Sequence, residues 1–189
     1  MERCAWLGDD PLMMAYHDDE WGVPLHDDRR HFEFIVLDGF QAGLSWRTVL
    51  NKRENFRRAF DGFDPERIVL YGETERARLL ADAGIIRNRA KVDATIGNAR
   101  AFLDIQQREG GFDEWIWQFT EGGTIQNSWA ELTGIPAKTA EAEAMSNVLK
   151  AEGFKFVGPT ICYAYMQAAG MVNDHVTRCY RWSELGGGG

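Results

Sequence analysis

The stretch NRAKVDATIGNARAFLDIQQRE, Asn88 to Glu109, decides the fold class. Val92, Ile96, Ala99 and Leu103 recur at i, i+4, i+7 and i+11, which winds one apolar stripe onto a single helix face. The same period runs from Thr139 to Glu152 through Ala142, Met145 and Leu149, and Gly153 supplies the stop. His31 to Gln41 is apolar on all sides, so it predicts a helix at the centre of the molecule. Asp64 before Pro65 is a capped helix start, and Leu79, Leu80 and Ala83 ahead of Gly84 predict one more helix. No stretch alternates with period two in β-branched residues, so no sheet is expected. The predicted fold class is all-α. No internal repeat or long linker divides the chain, so residues 1–183 are read as one domain. Residues 184–189, ending in four glycines, are read as a disordered tail.

Composition bounds the function. Of 189 residues, 44% are hydrophobic, enough for an ordinary core at this size. No run approaches the roughly 20 apolar residues of a membrane span. MERCAWLGDD lacks the basic flank and apolar stretch of a secretory signal. The odd count of 3 Cys argues against a disulfide framework, so a reducing, cytoplasmic location is expected. A net charge of −8 excludes coating of nucleic acid by bulk attraction. Local basic clusters do exist, at Lys52, Arg53, Arg57 and Arg58, at Arg87, Arg89 and Lys91, and sparsely at Lys150 and Lys155. Each fits a solvated helix face as well as a docking surface.

Three groupings carry chemistry. Cys179 follows His175 by four residues, a spacing that puts thiolate and imidazole on one side of a helix. Two ligands do not close a tetrahedral site, and Cys4 with His17 would complete it only if the chain ends meet. Either pair alone fits a buried thiol and a hydrogen-bonded imidazole equally well. Cys162, in the apolar run TICYAYMQ, is core. Next, GFKFVG, Gly153 to Gly158, joins two predicted helices with a glycine at each end and Pro159 opening the second. Free amides at such a helix start suit a phosphate, and Phe154, Phe156 and Val157 would anchor the turn; an ordinary helical hairpin explains the same residues. Last, Trp6, Tyr16, Trp21 and Trp46 surround Asp38 in sequence. A carboxylate inside the apolar run IVLDGFQAGLSW costs free energy unless it faces a ligand or a partner. Aromatic planes with one carboxylate suit a flat, electron-poor base bearing N–H donors.

CAW at Cys4–Trp6, YHDDEWGVP at Tyr16–Pro24, QAGLSW at Gln41–Trp46, DAGIIRNRAK at Asp82–Lys91 and FKFVGPTICYAYMQAAGMVNDHV at Phe154–Val176 stand in order along the chain. Together they closely resemble the 3-methyladenine DNA glycosylase I family, from Met1 to about Cys179. The resemblance implies a two-lobed helix-hairpin-helix glycosylase fold, with the helix-hairpin-helix at about residues 139–170. It implies a structural zinc joining the chain ends on Cys4, His17, His175 and Cys179. Base recognition falls to Tyr16, Trp46 and Asp38, with Trp6 and Trp21 as further walls. Duplex contact falls to Gly43 and Leu44 of the QAGLS loop, with Gly153, Lys155 and Gly158 on the hairpin. Two positions depart from the family: its usual Glu is Asp38 here, one methylene shorter, and an aromatic wall of some members is Met13. Asp174 lies roughly where related enzymes place a catalytic carboxylate, and equally suits a helix cap or a partner to a metal ligand. The expected function is hydrolysis of the N-glycosidic bond of 3-methyladenine, and of 3-methylguanine as a second substrate, in double-stranded DNA by a monomer that does not cut the strand. The alternatives are a non-catalytic damage-binding protein of the same fold and a zinc-stabilised interaction module.

Overall fold

The computed structural model describes residues 1–188, and most of them are helical. A 3-10 turn, Ala5–Leu7, leads into α1 (Pro11–Asp19), whose start is capped by Asp10. The central helix α2 (Asp28–Gln41) follows, capped by Asp27. Then come α3 (Trp46–Leu50), α4 (Arg53–Ala59), α5 (Pro65–Ile68) and α6 (Glu73–Ala81). Asp64 caps α5 as the sequence predicts. α6 stops at Ala81, short of the expected Gly84, because the Asp82 carboxylate takes the Gly84 N–H at 2.7 Å and turns the chain.

The long helix α7 (Arg89–Glu109) starts at an Asn88 cap and ends at Gly110 with φ +87. Its buried surface is wider than one stripe. Val92, Ala99, Phe102 and Ile105 are fully enclosed and Leu103 only partly, since α2, α5, α6 and α8 (Phe112–Trp117) all pack on it. α9 (Ala140–Ala151) and α10 (Pro159–Ala168) form an adjacent pair, followed by α11 (Tyr180–Glu184). The expectation of no sheet holds but for one contact: β1 (Ile125–Gln126) runs parallel to β2 (Val172–Asn173). A two-residue pairing is too short to leave a period-two pattern in sequence.

α2 explains why the molecule is arranged as it is. It is buried without interruption from His31 through Phe40, so each polar member needs a partner. His31 lies between the Tyr165 hydroxyl at 2.7 Å and Asp113 at 2.9 Å. Glu33 accepts from Arg53 at 2.6 Å and Arg57 at 2.9 Å. Arg53 and Lys52 are thereby taken up within the fold: Arg53 also binds Glu20, and Lys52 donates to the carbonyls of Ala83 and Gly84, while Arg58 stays exposed. Asp38 alone retains a buried oxygen, Oδ2, with no partner.

The chain ends meet because α10 stops on the segment after α1. Gly170 adopts φ +67, and a Cβ there would lie 2.3 Å from the Val23 carbonyl carbon, so only glycine permits the approach. Gly22 and Leu25 donate to Gln167 and Ala169 across this contact, and Tyr180 donates to Glu2. Residues 185–188, expected as part of a disordered tail, form a turn, with Gly187 donating to Trp182 and Leu185 accepting from Gln126. Gly189 lies outside the described residues.

Candidate active site and metal centre

Cys4, His17, His175 and Cys179 are all buried, and their ligand atoms lie within 4.8 Å of one another. His175 and Cys179 do not share a helix face as their spacing predicts: both lie in the irregular segment before α11, with Cys179 as its N-cap. Cys179 Sγ lies 3.5 Å from His17 Nε2 and 3.5 Å from His175 Nδ1, and Cys4 Sγ lies 3.6 Å from His175 Nδ1. A tetrahedral ion with metal–sulfur bonds of about 2.3 Å and metal–nitrogen bonds of about 2.0 Å spans sulfur–nitrogen edges of about 3.5 Å. The donor set thus fits a tetrahedral metal ion. The outer ring nitrogens are held as well: His17 Nδ1 meets Asp18 at 2.8 Å, and His175 Nε2 meets the Trp21 carbonyl at 3.0 Å. Asp18 is fixed in turn by two nitrogens of Arg3, whose guanidinium holds the carboxyl well below the usual range. Gly22, at φ +79, passes against the His175 ring, where a Cβ would come within 3.1 Å of Nε2.

Beside this cluster opens a cleft of about 440 Å³, within the range of small-ligand sites. Trp6, Tyr16, Trp21, Asp38 and Trp46 line it, so the five pocket residues expected from the sequence come together. Tyr16 and Trp46 touch, with ring centroids 5.1 Å apart, and Trp6 meets Trp21 edge-on at 5.1 Å. Rings in contact leave no slot between them, so the face they offer the cleft is a shared one. Asp38 is 2% exposed, and burial pushes its carboxyl well above the usual range against the pull of Arg53. The indole nitrogens of Trp6 and Trp46 are also buried without partners. Met13 is not part of this wall; it is buried in the core.

The opposite wall was missed in the sequence. Thr160, Tyr163, Ala164 and Gln167 of α10 line the cleft together with Leu132 and Ile135. The four α10 positions stand at i, i+3, i+4 and i+7, a single helix face that was legible beneath the apolar run. Asp174 organises this wall. Its Oδ1 accepts from Asn127 and Trp129, both at 2.7 Å, and its Oδ2 from Tyr163 at 2.6 Å and Gln167 at 2.7 Å. It is therefore neither a helix cap nor a hydrogen-bond partner to a metal-ligand side chain.

Two loops were expected to meet the duplex, and the first of them edges the cleft. Gly43, at φ +81, and Leu44, 43% exposed, lie between Gln41 and Trp46, which both line the cleft. In the 152–158 connection Gly153 takes φ +97, but Gly158 has an ordinary φ of −63 as the N-cap of α10. The second left-handed position is Phe156, at φ +57. Phe154 and Val157 are buried as expected, whereas Phe156 is 37% exposed and does not anchor the turn. Lys155 is exposed, and so are Arg87 and Arg89, none of which has a carboxylate partner among the described residues.

Known proteins share this fold. The family model described as methyladenine glycosylase matches residues 6–182. DNA-3-methyladenine glycosylase 1 of Escherichia coli (strain K12) is 51% identical over 179 residues, covering 95% of this chain and 96% of that protein. A crystal structure of 3-methyladenine DNA glycosylase I superposes with a TM-score of 0.93 at 51% identity, over 95% of this chain and 98% of that one. A tyrosine-to-phenylalanine variant of a 3-methyladenine DNA glycosylase I, solved in complex with 3-methyladenine, superposes with a TM-score of 0.92 at 32% identity, over 95% of this chain and 97% of that one. Since the similarity takes in the cleft, both loops and all but the outermost residues of the two ends, this chain belongs to the methyladenine glycosylase family.

Proposed function

We propose that this protein is a DNA glycosylase that releases 3-methyladenine from alkylated double-stranded DNA by hydrolysis, the first step of base-excision repair. The observation that carries the reading is Asp38, a buried carboxylate with a free oxygen at the base of an aromatic cleft. N3-methylation makes the adenine of the nucleotide cationic. Such a base supplies the charge that burial denies the carboxylate, and it presents an amino group to donate to it. An undamaged purine brings the amino group without the charge, so Asp38 discriminates between them. The aromatic surface of Tyr16 and Trp46 stacks the base, and a ring over a cation adds further attraction.

The cationic purine is already a good leaving group, so no strong acid is required. The flipped nucleotide presents its sugar carbon to water as the N-glycosidic bond opens. No lysine lines the cleft, which supports hydrolysis without a Schiff base and hence without strand cleavage. Leu44 and Gly43 enter the space the nucleotide leaves. The α9–α10 connection acts as the helix-hairpin-helix, gripping the backbone through Gly153, Lys155 and the amides after Gly158. Exposed Arg87, Arg89 and Lys155 contribute local positive charge to a protein that is acidic overall. Zinc on Cys4, His17, His175 and Cys179 ties the chain ends beneath the cleft; a four-ligand site leaves no open position, so its role is structural. The protein acts as a monomer in the cytoplasm.

The test is direct. Purified protein is incubated with duplex DNA treated with a methylating agent, and released bases are separated by chromatography. Release of 3-methyladenine with intact strands is the expected result. Binding to the damaged duplex with no base release makes this a non-catalytic damage-binding protein instead.

A further inference from the structure

One buried cation lies outside the site described so far. Lys91, in the first turn of α7, is 7% exposed, yet its ammonium has no carboxylate partner among the described residues. It donates instead to the carbonyls of Phe40 at 2.8 Å and Ala42 at 2.7 Å. These belong to the last turn of α2 and the loop after it, where helical carbonyls lose their own partners and the helix dipole favours a cation. The same ammonium lies 5.8 Å from the centroid of the Phe156 ring.

Seven residues further along the same helix, Asn98 takes both backbone groups of Lys155, donating to its carbonyl at 3.1 Å and accepting its N–H at 2.8 Å. One face of α7 therefore holds two loops in fixed relation. Their tips, Leu44 and Phe156, are both partly exposed apolar side chains. An ammonium buried without a counter-ion costs more than a methylene chain of the same length, so packing alone does not call for lysine at this position. What lysine adds is a pair of donors that fix where the 42–45 loop leaves α2.

We propose that Lys91 is a positioning residue for duplex opening: its two carbonyl hydrogen bonds set Leu44 at the rim of the cleft, so that the side chain occupies the base stack while the target nucleotide is out of it. This rests on the glycosylase reading above. It separates two tasks, because the cleft binds the base through Asp38 and the aromatics, none of which Lys91 touches.

The experiment compares Lys91→Met, Leu44→Ala and the double variant K91M/L44A with the unaltered protein. Release of 3-methyladenine is measured from paired duplex and from single-stranded DNA, where no stack has to be filled. Binding of free 3-methyladenine is followed by tryptophan fluorescence, and amide exchange is followed over residues 42–45. In K91M, release from duplex falls roughly 10- to 100-fold, the scale of an ångström-sized misplacement. Release from single strands and free-base binding stay within about twofold, amide exchange in the loop quickens, and the double variant is no worse than the worse single one. An equal fall on both DNA forms, or losses that multiply in the double variant, overturns the proposal. If K91M does not fold, Lys91→Gln, which keeps a donor, is carried through the same comparisons. If the unaltered protein releases nothing from either DNA, the glycosylase reading fails, and unchanged exchange in the variant's loop then removes the Lys91 clamp as well.

Discussion

The cysteine–histidine cluster and the cleft are neighbours, and they treat buried polar atoms in opposite ways. In the cluster each imidazole has one nitrogen aimed at the cysteines and the other held by Asp18 or the Trp21 carbonyl. In the cleft the Asp38 oxygen and the indole nitrogens of Trp6 and Trp46 are buried with nothing opposite them. A lone buried polar group costs about 1–3 kcal/mol, so leaving three along one wall weakens the fold unless a ligand completes them. Trp21 belongs to both regions, with its carbonyl on His175 and its ring in the cleft. The satisfied site maintains the shape, and the unsatisfied one awaits its substrate.

The largest effect should come from breaking the satisfied side. Cys179→Ser, or removal of metal by a chelator, takes the closure from a loop that spans most of the chain. A loss of about 3–5 kcal/mol is expected, read as a lowered and broadened thermal transition together with metal content falling from one ion per chain. A metal-free preparation with an unchanged Tm would mean that the four residues hold one another without an ion.

Breaking the unsatisfied side should spare the fold and cost activity. Asp38→Asn keeps the shape and removes the charge. Base release should drop about 100-fold, or about 2.7 kcal/mol of transition-state stabilisation, with Tm equal or higher. Near-normal turnover would take Asp38 out of base recognition. Asp38→Glu restores the reach usual in the family and sharpens the same test: faster release would show that the missing methylene limits this chain.

How much of this was legible depended on whether a residue's environment is local. Helices announced themselves through period, as in α7 and α9, and at Asp64 through a cap, since both signals lie within a few residues. Asp38 stood out because a carboxylate in an apolar run needs a reason. The metal site was only half visible, as Cys4 and His175 are 171 residues apart and nothing local says that they meet. The role of Arg53 in the basic cluster at Lys52–Arg58 stayed open for the same cause: Glu20 and Glu33, which neutralise it, lie just after α1 and on α2. Phe156 was expected to anchor the turn by its hydrophobicity, but its backbone is left-handed and its side chain partly exposed, and a phenylalanine gives no signal of that conformation.

A pH titration separates the two functions of the Asp38 carboxyl. Its pKa in the folded protein is raised by burial above the unfolded value of about 3.9. Its contribution to stability is therefore complete below that unfolded value and is lost as pH rises through the folded one. The Tm difference between the unaltered protein and D38N should thus shift in favour of D38N with rising pH across that window. Base release should run the other way, rising as the carboxylate forms, and this limb should be missing in D38N. A common profile for both proteins would assign the titration to another group.

The smallest effect is expected where the two regions join. Asp174 directly precedes His175 and, through Tyr163 and Gln167, fixes the α10 wall of the cleft, so it links the satisfied cluster to the unsatisfied pocket. Tyr163→Phe removes one of its four donors and leaves Gln167, Asn127 and Trp129 in place. The loss should be about 1 kcal/mol in stability and a few-fold in base release, with metal content unchanged. The size of the second number decides what the hydroxyl does. A fall as deep as that of D38N would mean that Tyr163 meets the substrate itself, and the α10 wall would then be part of base recognition; a few-fold fall confines it to holding Asp174, and leaves the wall a surface that the cluster keeps in place.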